Sequence, residues 1–164
     1  MKKLARGFLL GILVLAAVGL LLAQKNPASG VWKLDVAKSK FNPSPGPKSA
    51  TLTIDASGTG VKTTYDEIET DDSHIGYEYS TTDDDGKDCP VSGTARTALL
   101  GGAESVVVRH AGSNSIVVHF MKSAQIVATN NTVVSKDGKT LKITSQGADA
   151  KGQPLSSMTV WNKQ

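Results

Sequence analysis

The run QIVATNNTVVSKDGKTLKITSQG, Gln125 to Gly147, decides how this chain is read. In its second half Leu141 and Ile143 alternate with Lys142 and Thr144, the period of two that puts every other side chain on one face of a strand. At its centre stands Asp137-Gly138, a dipeptide that tolerates positive φ and is favoured in two-residue type I′ hairpin turns. The stretch therefore predicts two antiparallel strands, Gln125 to Ser135 and Lys139 to Gly147, joined by a tight turn.

Outward from that hairpin the same pattern repeats. Further strands are predicted at Gly30 to Asp35, Ser49 to Asp55, Val61 to Ile68, His74 to Thr81, Lys87 to Ser92, Glu104 to His110, Ser115 to Lys122 and Ser156 to Asn162. Asp85-Gly86 offers a second type I′ turn, and Ser57-Gly58-Thr59-Gly60, Gly112-Ser113 and Lys151-Gly152 serve as further turns. No long stretch carries a sustained 3.6-residue apolar repeat, so nothing helical is expected beyond a short turn near Val36 to Lys40. Asn42-Pro43-Ser44-Pro45-Gly46-Pro47 reads as a stiff crossing loop, because proline has no amide to give to a ladder.

Short connections make successive strands antiparallel neighbours. The fold class is thus all-β, an antiparallel up-and-down meander of about 8–10 strands. Such a sheet either exposes two unpaired edges or curls until its first and last strands meet, and closure into a barrel is favoured because it removes the edges. Alternation places Trp32 with Leu34, Leu52 with Ile54, Val61 with Tyr65, Ile75 with Tyr77 and Tyr79, Val106 with Val108, and Leu141 with Ile143 on inner faces. Thr63, Thr132 and Ser145 fall between them. Their hydroxyls either make the lumen partly polar or turn to solvent and neighbouring backbone.

The chain has 164 residues, 39% of them hydrophobic, and a formal net charge of +3. Lys2, Lys3 and Arg6 account for the whole basic excess and precede the apolar run Phe8 to Leu22 and the small residue Ala23, the layout of an export signal. Residues 1–23 are therefore read as a signal peptide and residues 24–164 as one β-barrel domain, periplasmic or secreted. At about 1.5 Å per residue the apolar run reaches roughly 24 Å, short of a ~30 Å hydrocarbon core, so an uncleaved outward-facing anchor is the alternative. Without its leader the chain is electrically neutral, which removes the charge argument for nucleic-acid binding.

Catalytic and metal motifs are not found. The serines sit in no nucleophile elbow, and the phosphate-loop, dinucleotide and zinc-protease patterns are missing. His74, His110 and His119 are the only imidazoles. If Gly112-Ser113 turns its hairpin, His110 and His119 share a face but stand roughly 13 Å apart; if the register slips by one, they face opposite sides, so no metal or haem site is assigned. Cys89 cannot form an internal disulfide and stands beside Asp88, which does not favour a thiolate. It is read as a buried or inert thiol, with a disulfide-linked dimer as the functional alternative. Asp66, Glu67, Glu69, Asp71, Asp72, Glu78, Asp83, Asp84, Asp85 and Asp88 form an acidic segment, read first as solvated turns that protect an edge. An electronegative docking face or a calcium site are the functional alternatives, although the oxygen series and closing glutamate of an EF-hand are absent.

Gly30-Val31-Trp32 on the first strand resembles the G-x-W opening of the lipocalins and the wider calycin barrels. The longer stretch Gly30 to Phe41, the proline-rich crossing after it and the run Val133 to Leu141 are similar to a group of exported bacterial lipocalin-like proteins of unassigned function. The resemblance implies a small barrel with a cavity for an apolar ligand. Two departures stand out. Lipocalins pack a late arginine over that tryptophan, whereas here nothing beyond Arg109 is an arginine and Lys163 is the only basic residue near the end; and Cys89 stands where the bacterial group carries an aromatic.

The functional expectation is an extracytoplasmic, non-enzymatic barrel that binds or shields a small hydrophobic or amphipathic molecule without a cofactor. Trp32, Tyr65, Tyr77 and Tyr79 are expected to line or floor the cavity, since each offers apolar area with a polar tip; plain core packing is the competing role. The other reading is an envelope structural or interaction protein with a solid barrel and an acidic docking face.

Overall fold

The computed structural model describes residues 26–57, 60–82, 86–94, 101–149 and 151–164. The leader, the Gly58-Thr59 pair and the Asp83-Asp84-Asp85 triplet lie outside them, and with them the signal-peptide reading, part of the Ser57 to Gly60 turn, the Asp85-Gly86 turn and the calcium-like loop.

Among the described residues the chain forms β1 (Gly30–Leu34), a 3-10 turn (Val36–Lys38), β2 (Lys40–Asn42), β3 (Ser49–Ser57), β4 (Gly60–Ile68), β5 (His74–Thr82), β6 (Asp88–Gly93), β7 (Ser105–Gly112), β8 (Ser115–Lys122), β9 (Gln125–Val134), β10 (Thr140–Ala148) and β11 (Pro154–Lys163). From β3 to β11 each strand lies beside its sequence neighbour, and β1 pairs with β3 on one side and with β11 on the other. The meander thus closes into an antiparallel ten-stranded barrel, at the upper end of the expected count. β2 was not legible as a strand, because three residues are too few to display a period of two. It continues the line of β1 along β11, with Lys40 opposite Met158 and Asn42 opposite Ser156. Ser39 fastens the break between the two: its hydroxyl donates to the Asp35 carbonyl at 2.7 Å and accepts the Val160 amide at 3.0 Å.

Two hairpins differ from expectation. The Asp137-Gly138 turn is not type I′, because only Gly138 has positive φ (68°) and type I′ needs it at both central residues. The loop is longer: the Gly138 amide donates to the Ser135 carbonyl at 2.9 Å, Ser135 and Thr140 close the ladder, and Asp137 accepts from the Lys139 amide and the Ser135 hydroxyl. Between β7 and β8 the turn falls at Ser113-Asn114 instead of Gly112-Ser113, with an irregularity between His110 and Gly112. His110 therefore opposes Ile116 and His119 opposes Val107, and the two imidazoles lie on opposite faces of the sheet.

The core has two parts. One gathers Trp32, Leu52, Ile54, Val134, Leu141, Ile143 and Trp161 on the side where β1 and β11 meet; the other gathers Tyr79, Cys89, Val91, Val106, Val118 and Phe120 around β5 to β8. Trp32 is 0% exposed, and its indole N–H donates to the Ala28 carbonyl at 2.8 Å, so the segment before β1 folds under the barrel. Lys163 covers Trp32: its Nζ lies 5.0 Å from the Trp32 ring centroid, within cation–π range. Gly30 is needed beneath that side chain. Its φ is +136°, and a Cβ there would stand 2.7 Å from Lys163 Cε.

Candidate functional site

Inside the barrel lie two cavities that share Leu52, Tyr77, Asn130 and Ile143 as a waist. The smaller, about 80 Å³, sits toward the end where the chain enters, with Asn26, Thr63, Thr81, Lys87, His110 and Thr132 in its wall. The larger, about 360 Å³, occupies the opposite end. Its rim is the proline-rich crossing, with Pro43, Pro45 and Pro47 beside Phe41; its body is walled by Tyr65, Glu67, Tyr77, Ile143, Leu155 and Trp161. Gly46 permits the rim to fold tightly, since a Cβ there would overlap the Phe41 ring. Ser145 lines this cavity, while Thr63 and Thr132 are buried beside the smaller one, so the lumen is partly polar.

The tyrosines form a ladder across β4 and β5. Tyr65 and Tyr77 are cross-strand partners with rings stacked at 5.0 Å between centroids. Tyr65 meets the edge of Trp161 at 6.0 Å, and Tyr77 continues to Tyr79 at 6.3 Å and to Phe120 at 5.7 Å. The ladder bridges the two parts of the core. Burial pushes the Tyr65 and Tyr77 hydroxyls well above the ordinary tyrosine range and Tyr79 up to about 12, so all three phenols stay neutral donors.

Of the expected lining residues, the structure brings Tyr65 and Tyr77 to the larger cavity and Tyr77 and Tyr79 to the smaller. Trp32 lines neither and sits wholly within the core. The residue that sequence reading missed is Glu67. It is 3% exposed, opposes Ala50 and Ile75 on the inner face, and lines the larger cavity. The Tyr65 hydroxyl donates to its Oε2, while its Oε1 is buried with no hydrogen-bond partner. Burial raises its pKa from 4.5 to about 7; the Tyr65 hydrogen bond opposes this, while the charge of Glu69, a hydrogen bond between the Glu67 and Glu69 carboxyls and the charge of Asp66 add to it. A signal for this placement existed: Val61, Thr63, Tyr65 and Glu67 share one parity along β4, and the alternation that turns Tyr65 inward turns Glu67 inward too.

Of the rest of the acidic segment, Glu69 also lines the larger cavity, and the other described acids lie at the surface. Asp66, Asp71, Asp72 and Asp88 are exposed, and Lys48 and Lys62 pair with Asp72 and Glu78 at 2.5 and 2.9 Å. Among the described residues, no three histidine, cysteine or acidic side chains are grouped so as to hold a metal ion. Cys89 is 5% exposed, packed in the second core region with Val91 and Val106. That burial corrects the disulfide-dimer alternative, because the thiol cannot meet a second chain while β6 is in place.

No family model and no curated protein sequence matches the chain. Among solved structures, it is similar to zebrafish ileal bile acid-binding protein in complex with cholic acid, with a TM-score of 0.50, 15% identity, and 84% of this chain and 99% of that chain covered. A redesigned β-barrel aligns over 84% of this chain and 92% of its own, at 7% identity and a TM-score of 0.45. At such identities the first likeness speaks for the fold alone, a closed antiparallel β-barrel.

Proposed function

We propose that this protein is an extracytoplasmic barrel that binds or shields a small hydrophobic or amphipathic molecule and carries out no turnover of it. The observation that carries the reading is the cavity of about 360 Å³ between the proline-rich rim and the Tyr65–Tyr77–Trp161 wall. That volume falls in the range of about 300–1,000 Å³ typical of small-molecule sites. Its lining combines apolar side chains with a few convergent polar groups, among them Glu67, Asn130, Ser145 and Thr159, the composition such sites share. Cholic acid in the zebrafish barrel supports the reading without naming the ligand here. The location rests on Lys2, Lys3, Arg6 and the apolar run that follows them.

The solid-barrel alternative loses its first premise to the cavity and, with Glu67 turned inward, one of its acids. Native mass spectrometry of gently purified protein, paired with uptake of the neutral fluorophore N-phenyl-1-naphthylamine, tests the proposal. A co-purifying small molecule or saturable uptake is expected. A clean apo mass together with no uptake would rule the proposal out.

A further inference from the structure

The larger cavity holds an electrostatic imbalance that points to the chemistry of its occupant. Charged groups in its wall are Glu67, near the end of β4, and Glu69, just past that end, and among the described residues no lysine, arginine or histidine lines it. Among the described residues nothing cationic in that wall compensates Glu67. Its Oε2 accepts from the Tyr65 hydroxyl, its carboxyl meets that of Glu69 in a hydrogen bond that needs a proton on Glu67, and once that proton is lost Oε1 is left with no donor, with Ala50 and Ile75 flanking it on the neighbouring strands. A buried carboxyl with a free acceptor normally finds a donor, since leaving the acceptor bare costs about 1–3 kcal/mol and more for a charged group. Tyr77 does not supply it, although its ring shares the cavity wall.

We propose that the cavity takes an amphiphile whose polar end is a protonated amine, with the ammonium seated between Glu67 and Glu69 and the apolar part against Tyr65, Tyr77, Leu155 and Trp161. This rests on the binding role proposed above and fixes the class of ligand. An ammonium supplies the missing donor and the missing positive charge together, through a charge-assisted hydrogen bond. A carboxylate would bring a further negative charge beside Glu67 and Glu69, and the resulting repulsion sets the order of preference. A hydroxyl supplies the donor without the charge and falls between them. Burial and the Glu69 and Asp66 charges hold the Glu67 proton on to about pH 7 in the empty barrel, and a bound ammonium works in the opposite direction.

The test is displacement of N-phenyl-1-naphthylamine at about pH 7.5 by decylamine, 1-decanol and decanoic acid, matched in apolar length. Decylamine is expected to compete about tenfold or more better than decanoic acid, with the alcohol between. In Glu67→Gln that ratio is expected to shrink several-fold through weaker amine binding, with circular dichroism confirming the barrel. The wild-type ratio stands alone if the variant fails to fold. Decanoic acid competing as well as decylamine overturns the amine assignment and leaves the binding role intact. Equal competition by all three, as when a trapped water satisfies Oε1, overturns it too. No uptake of the fluorophore and no displacement overturns both.

Discussion

Replacing Glu67 by Gln should flatten the dependence of stability on pH. In the folded barrel the Glu67 pKa is raised from 4.5 to about 7, so between those values the folded chain holds a proton that the unfolded chain has lost. The linkage is negative there. The stability that the protonated carboxyl contributes is fully present below about pH 4.5 and is lost as pH rises through about 7. About two and a half units at ~1.36 kcal/mol each amount to about 3 kcal/mol, a large share of the ~5–15 kcal/mol of a typical domain. The glutamine keeps a carbonyl oxygen for the Tyr65 hydroxyl but leaves an amide N–H group in place of Oε1, which costs about 1–3 kcal/mol of its own. The variant is therefore expected to be less stable than wild type near pH 5 and equal or slightly more stable near pH 8. Urea unfolding followed by circular dichroism across that span measures both. The wild-type minus variant difference should change by roughly 2.5 kcal/mol. A difference flat to within about 0.5 kcal/mol would refute the placement of Glu67 in a desolvated wall, because an exposed carboxylate has finished titrating before the span begins.

Four further outcomes follow from the packing. Leu141→Ala, at a side chain with 0% exposure between Trp161 and Val134, should cost about 2–5 kcal/mol in urea unfolding. Lys163→Met removes the cation from Trp32 while keeping an apolar stem; a loss of about 0.5–1 kcal/mol is expected, and no change in the unfolding midpoint would deny the contact any weight. Gly30→Ala should cost more than about 1 kcal/mol, because its φ of +136° is one that L side chains rarely adopt, and a neutral result would mean that the first strand opens differently. Cys89 should react with a chromogenic disulfide reagent only slowly in the folded chain and fast in urea; rapid native reaction would show that β6 opens readily.

The fold was legible because its code is local. Alternation at Leu141 and Ile143, at Leu52 and Ile54 and at Val106 and Val108 named the inner face, and glycine-bearing turns fixed which strands are neighbours. What escaped depends on tertiary context. Ala111-Gly112-Ser113-Asn114 can turn at either of two places, and the choice, which sends His110 and His119 to opposite faces, is settled by an irregularity that no local pattern announces. β2 became a strand only because β11 runs on past β1 and offers its free edge. Within the candidate site, Tyr65 and Tyr77 could be read from period two. Glu67 obeyed the same period but sits among so many acids that composition argued for solvent.

The larger cavity as a site for a small amphiphile is tested most directly by titrating isotopically labelled protein with decylamine and following backbone amide shifts. The account predicts saturable changes concentrated at Glu67, Tyr77, Gln146, Leu155 and the Phe41 to Pro47 rim, with strand exteriors such as Val31 and Val133 unmoved. Shifts confined to those exteriors, or none at all up to the solubility of the amine, would contradict it.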